Sequence, residues 1–310
     1  MNAASSLQQT GVALVMALLL VAIASAVAIQ MASQQQLEIH RITNLLDHDR
    51  AAQYALGAER WVKQILMEDD PSIDHWHETW ATRLQPLEIE GGQISGQIED
   101  LQGRFNVNNL WNPQQKKINV LDFERFQRLL TNLNLDPKIA SAVVDWLDDD
   151  INPVYPDGVE ELDYLRQQPP YRTADGPLVD DSELRLIAGI DAAGYQRLQP
   201  HITTLPGYTS ININTATDQV LLCLSDKIDG NAIKTLLQQR KSQTFDSVTQ
   251  FLADPVFANA AVSPSGLAIN SHYFQADARI QMGNSQIHQI SRLYRANKRI
   301  LTLARTEALF

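Results

Sequence analysis

Cysteine is almost absent: Cys223 is the only one in 310 residues, so no intrachain disulfide can form. A chain of this length builds its core without covalent staples, so the deficit leaves the compartment open. Flanked by Leu221, Leu222 and Leu224, Cys223 reads as a small core hydrophobe rather than a nucleophile. Catalytic signatures are missing as well, with no H-E-x-x-H and no Gly-x-Ser-x-Gly. His75 and His77, with Glu78, would make at most a weak metal site, and a polar surface is the plainer reading. No enzyme is expected. Basic charge is in deficit too: the net charge is −11, which opposes nucleic-acid binding by the whole surface. Most of that charge sits between Asp145 and Asp191, where 13 acidic residues face only Arg166, Arg172 and Arg185. The first ten residues carry no Lys or Arg, so no orientation in a membrane follows from charge.

The N-terminus has what the rest of the chain lacks, a long apolar run. Val12 to Met31 holds no charge and is interrupted only by Ser25 and Gln30. As a helix it spans about 30 Å, the thickness of a bilayer core. A secretory signal peptide is the rival, because Ala24-Ser25-Ala26 and Ala26-Val27-Ala28 are small-residue cleavage patterns. The helical period does not stop there, however. Leu45, Ala52, Ala55, Ala58, Val62 and Ile65 continue it, and no proline occurs before Pro71. One helix is therefore expected from about Val12 to Met67, roughly 80 Å long.

A helix half in lipid and half on a domain, beginning directly after a glycine, resembles the type IV pilin and pseudopilin family. The resemblance implies cleavage between Gly11 and Val12 by a prepilin peptidase, with the apolar helix retained. Met16 then stands fifth in the mature chain, where most pilins carry a glutamate paired with a neighbouring subunit's amine. A carboxylate in lipid without that partner is costly. Its absence marks a subunit with nothing above it, a tip position. Leu37, Ile42 and Leu45, beyond the membrane, are expected to bury against partner helices.

In the body, Gln93 to Glu99 and Leu101 to Asn109 read as strands, as do Tyr273 to Met282, Gln286 to Tyr294 and Ile300 to Ala304. Met282-Gly283-Asn284-Ser285 is a hairpin turn. Between these ends the chain reads mainly helical. Asn134-Leu135-Asp136, Gly189-Ile190-Asp191 and Ile228-Asp229-Gly230 each open a short amphipathic helix. The last, with ININTATDQVLLCL before it, is similar to a helix-hairpin-helix unit. Its hairpin triplet Lys227-Ile228-Asp229 puts an acid where phosphate would approach, so mutual packing of the helices is expected. The alternative is a membrane-anchored DNA-binding protein of a DNA-uptake system.

The segments GRFNVNNL, VVDWLDDD, YPDGVEELDYL, PPYR, SELRLIAGI, ITTLP and ININTAT, in this order, resemble the K-type minor pseudopilins of type II secretion systems. The resemblance implies an α+β fold: a pilin-like long N-terminal helix packed on an antiparallel sheet, with a large, mainly α-helical inserted domain. It divides the chain into a leader peptide, 1–11; a transmembrane part, 12–31; a first pilin-like part, 32–111; the insertion, 112–270; and closing strands, 271–310. It implies a single-pass protein of the inner membrane with its body in the periplasm. The implied role is to cap the pseudopilus with the I- and J-type minor pseudopilins, alongside the H-type and the major pseudopilin.

In the acidic stretch, Asp148, Asp149, Asp150 and Asn152 crowd the end of an expected helix, and Glu160, Glu161 and Asp163 follow a Pro/Gly-bent loop. Hard oxygen ligands on such a loop suit Ca²⁺. The site is not an EF-hand, because the twelfth position falls on Val159. Three carboxylates at a helix C-terminus oppose the dipole and one another, which a cation offsets. Asp175 and Asp180 are further candidates, and members of the resembled family bind calcium in this region. A solvated acidic surface is the alternative.

Overall fold

The structure is a computed structural model and describes residues 6–296 and 299–308. Residues 1–5 of the expected leader lie outside the described residues. Helix α1 runs unbroken over Ser6–Glu68, 63 residues and about 95 Å. It contains no proline or helix-breaking pair, and Pro71 follows its end. Its apolar part is long enough to cross a membrane, with a mean hydropathy of 2.9 and no residue buried by the rest of the chain.

The second half of α1 packs on a five-stranded antiparallel sheet. The strands are β1 (Leu84–Ile89), β2 (Gly92–Asp100), β3 (Tyr273–Met282), β4 (Ser285–Ala296) and β5 (Arg299–Ala308), adjacent in that order. Ala51 and Ala55 are fully buried and share a cluster with Ile94, Ala278, Ile280, Met282 and Ile287. Leu66 lies one level further along, with Trp80, Ile98, Phe274 and Leu293. The small alanines let the helix approach the strands closely. These contacts fix its direction: moving up α1 means moving up β2 and β4 and down β3. It therefore runs antiparallel to β5.

Strands β3 to β5 fall where alternation places them, and Gly283 turns the β3–β4 hairpin at φ +51, a conformation glycine adopts freely. Two departures from the sequence expectation stand out. Strand β1 has no alternating pattern and contains Pro86, tolerable because it lies on the sheet edge. Leu101 to Asn109 is not a strand; only Phe105–Asn106 pair, between turns at Leu101–Gly103 and Val107–Leu110. The buried side chains of Asn106, Asn108 and Asn109 bond backbone groups of Leu178, Leu205, Gly207 and Thr209 and so bend the segment.

Residues 101–272 form the insertion between neighbouring strands β2 and β3. Helices α2 (Val120–Asn132), α3 (Ile139–Leu147), α4 (Glu161–Tyr164), α5 (Ala192–Leu198), α6 (Asp218–Leu222), α7 (Gly230–Arg240) and α8 (Val248–Leu252) surround one apolar core. Phe126, Leu129 and Leu130 line the inner face of α2, and Ile233 and Leu236 that of α7. The architecture is α+β, a long helix on an antiparallel sheet with a large, mainly helical insertion. Cys223 sits in the insertion core, fully buried, with its thiol pushed up to about 12 by burial.

Two polar networks clamp these layers. Glu59 of α1, 3% exposed, accepts from Thr302 Oγ1 at 2.7 Å, Arg305 Nη2 at 2.9 Å and Ser291 Oγ at 2.9 Å. Burial works against its charge, but these bonds and Lys63 outweigh burial and hold the carboxyl well below the ordinary value. A depressed carboxyl contributes stability above its unfolded pKa, near 4.5, and loses it as the pH falls below that. Glu59→Gln should therefore cost about 2 kcal/mol at neutral pH, and its deficit should shrink in acid. Equal urea midpoints for both proteins at neutral pH would refute the clamp.

The second network joins sheet to insertion. The buried Asp100 carboxylate accepts from Asn212 Nδ2 at 2.9 Å, Thr215 Oγ1 at 2.5 Å and Ser271 Oγ at 2.6 Å. Beside it, Arg295 donates to Asp74 Oδ1 at 2.6 Å, Asp69 Oδ2 at 2.9 Å and the Ser271 carbonyl at 2.8 Å.

Candidate functional site

Helix α3 is buried along its whole length and delivers its C-terminus to a bent loop. The fully buried Asp145 anchors that loop: its carboxylate accepts the backbone N–H of Val154 at 2.9 Å and of Val159 at 2.5 Å. A side chain at Gly158 would collide with Asp145 Oδ2, so only glycine lets the loop close. Trp146 and Tyr164 meet edge-on at 5.3 Å beneath it, and the Tyr164 hydroxyl accepts from Ala188 N–H. The loop therefore has a rigid floor, and the chain on either side of it converges.

Asp148 and Asp150, before the loop, meet Glu160 after it, with one carboxylate oxygen of each within 4.8 Å of the others. Asp148 and Glu160 are 3% and 8% exposed. Asp148 Oδ1 and Glu160 Oε1 are buried without a hydrogen-bond partner. Burial first, then the neighbouring Asp150 and Asp145 charges, lift Asp148 to about 6. Burial, then Asp145 and Asp148, lift Glu160 to about 7. Such a set of carboxylates, at the end of a helix and with orphaned oxygens, fits a hard divalent cation such as Ca²⁺.

The other expected ligands do not join this cluster. Asp149 points to Lys116 at 2.6 Å, Glu161 pairs with Arg172 at 3.1 Å, and Asp163 with Arg166 at 2.9 Å. Asn152 instead steadies Asp150, donating its backbone N–H at 2.8 Å and Nδ2 at 2.9 Å to Oδ1. Asp175 accepts from Thr173 Oγ1, and Asp180 caps a turn and pairs with Arg292 at 3.0 Å. A second carboxylate group, Asp69, Asp74 and Glu78, is already served by Arg295 and by Trp80 Nε1 at 2.6 Å. The His77 ring meets the Lys241 carbonyl at 2.7 Å, and His75 donates its backbone N–H to Glu78 at 2.9 Å. Sequence reasoning overlooked Asp145, whose position inside an apolar helix was its only signal.

The helix-hairpin-helix-like segment comprises α6 and α7, with Ile228 and Ile233 buried between them. Asp229 Oδ1 accepts the Asn231 N–H at 3.0 Å, so a carboxylate caps the helix end that phosphate would otherwise approach.

Along α1, every residue from Val12 to Leu46 is exposed. Leu37, Ile42 and Leu45 are 68%, 56% and 60% exposed, and Ile39 and Leu46 are exposed as well. Met16 lies within the membrane-length part, five residues after Gly11, both in unbroken helix.

Residues 103–207 and 211–270 match the two profiles of the family described as type II secretion system (T2SS), protein K. The type II secretion system protein K of Pseudomonas aeruginosa is 33% identical, over 93% of this chain and 89% of its own length. That of Klebsiella pneumoniae is 32% identical over 94% of each chain. Among solved structures, a chain of the GspK-GspI-GspJ complex from the enterotoxigenic Escherichia coli type 2 secretion system superposes with a TM-score of 0.78. It is 26% identical and is matched over 100% of its length by 87% of this chain. With the family profiles, the near full-length relatives and the superposed structure in agreement, the chain belongs to the protein K family, the large minor pseudopilins of type II secretion systems.

Proposed function

We propose that the protein caps the pseudopilus tip, assembled with the I- and J-type minor pseudopilins above the H-type and major pseudopilins, during export across the outer membrane. In this reading prepilin peptidase cuts between Gly11 and Val12. Residues 12–31 stay in the inner membrane and the body occupies the periplasm. The observation that carries it is the group of uncovered apolar side chains Leu37, Ile39, Ile42, Leu45 and Leu46, which lies beyond a membrane-length segment and belongs against other helices. Met16, which puts no carboxylate at the fifth position of the mature chain, supports a subunit without an upper neighbour. The complex formed by the structural relative supports I- and J-type partners.

The same reading assigns Ca²⁺ to Asp148, Asp150 and Glu160, where it would hold the two ends of the loop together. Charged substitutions Leu37→Glu, Ile42→Glu and Leu45→Glu, combined, should abolish copurification with the I- and J-type subunits and leave the body folded. Undiminished copurification would count against this part of α1 as an interface. N-terminal sequencing tests processing: a start at Val12 agrees, and a start near Val27 or Ile29 makes the chain a released, secreted protein instead.

A further inference from the structure

The two edges of the sheet are unlike. At one, β1 is six residues long, slips in register between Leu84 and Leu87 and contains Pro86, features that discourage further pairing. At the other, β5 runs ten residues, Arg299–Ala308, without proline or lysine. No described strand pairs with its far side. Its single irregularity, at Leu303, leaves regular pairing with β4 on both sides. Every second residue of such a strand aims both its N–H and its C=O outward, a row that only another extended backbone can match. Leu301 and Leu303 are 51% and 47% exposed, so apolar side chains accompany the open edge.

The direction of α1 decides what can sit there. Two copies of β5 paired antiparallel about a two-fold axis would have reversed strands and, because α1 runs alongside β5, reversed helices. Their apolar segments would then point in opposite directions and could not enter one bilayer. A second copy is thereby disfavoured. The Glu59 clamp to Thr302 and Arg305 keeps β5 rigid on the helix and pre-organises the edge.

We propose that β5 is completed in the assembled tip by an extended segment of a different polypeptide, added as a sixth strand. The occupant carries alternating apolar side chains that cover Leu301 and Leu303. This rests on the multi-subunit assembly proposed above. The test is hydrogen exchange of the full-length chain in detergent, alone and co-purified with the I- and J-type minor pseudopilins. About half the amides of Arg299–Ala308, in alternation, should exchange about tenfold or more slowly in the complex, with those of β1 unchanged. Glu307→Pro takes away an N–H on the open side, because its partner Gln289 bonds β3, and should remove the protection around it while the exchange of β2 and β3 stays as in the parent. A complex that forms without slowing β5 exchange overturns the added strand and leaves the tip assembly standing. Protection that grows with concentration of the chain alone assigns the edge to a second copy and likewise overturns it. Failure of any complex to form overturns both.

Discussion

Arg295→Met is expected to destabilise the protein by about 3–5 kcal/mol, a large share of the roughly 5–15 kcal/mol that holds a domain folded. Arg295 is 5% exposed, lies over the Phe274 ring at 4.8 Å, and is the cation shared by Asp69 and the fully buried Asp74. Methionine keeps the packing on Phe274 and removes the charge. Burial already lifts Asp74 to about 7 despite the guanidinium, and also raises Asp69. Without the arginine both go higher still. A carboxyl raised above its unfolded value stabilises the fold at low pH and loses that contribution as the pH rises through the folded pKa. The deficit of Arg295→Met should thus be modest at about pH 5 and largest at about pH 8. Urea midpoints at the two pH values decide this. A deficit equal at both, or below about 1 kcal/mol at about pH 8, would show that Arg295 does not compensate these acids. Adding Asp74→Asn should restore part of the loss, because the two residues form one unit.

The second large effect concerns the loop site. Calcium at about a hundred times its dissociation constant should stabilise the protein by about 2.7 kcal/mol, read as a higher melting temperature that a chelator reverses. Asp148 near 6 and Glu160 near 7 give the sign of the pH dependence. Below these values the carboxyls are protonated, repel little and bind metal poorly. Above them the metal-free protein loses stability and the ion gains its ligands. The calcium response should be slight at about pH 5 and full at about pH 8. Asp148→Asn with Glu160→Gln should be more stable than the parent without calcium and indifferent to it. A double variant less stable than the parent, or a parent unmoved by calcium and chelator, would sink the metal site.

The sequence made α1 legible because a charge-free run passes into a period of threes and fours with no proline between. The β3–β4 hairpin was legible because Gly283-Asn284 separates two alternating runs. The acidic cluster announced itself by density alone, but density does not say which carboxylates converge. Asp149 and Asp150 are neighbours, yet one reaches out to Lys116 and the other turns in, a choice made by the extended backbone at Asp148. Phe105 to Asn109 misled for a related reason: its alternation is strand-like, while its asparagines are satisfied by loops about 70 to 100 residues away. The Arg295 network is invisible locally, since Asp69, Asp74, Asp100 and Arg295 share no motif and meet only when the insertion has folded back.

That return path governs the order in which the molecule can form. Strands β2 and β3 are neighbours in the sheet, but the whole insertion is synthesised between them. If the insertion were still unfolded, their pairing would have to close a very long loop before any contact rewarded it. A folded insertion brings its own ends together, since Ser271 from one end already bonds Asp100 at the other. Synthesis from the N-terminus therefore imposes a sequence of events: α1 is made first, the insertion collapses next, and the sheet zips last, when β3, β4 and β5 emerge. Until then the packing face of α1 has only β1 and β2 to cover it, and a truncation before Tyr273 should leave that face bare for aggregation or degradation.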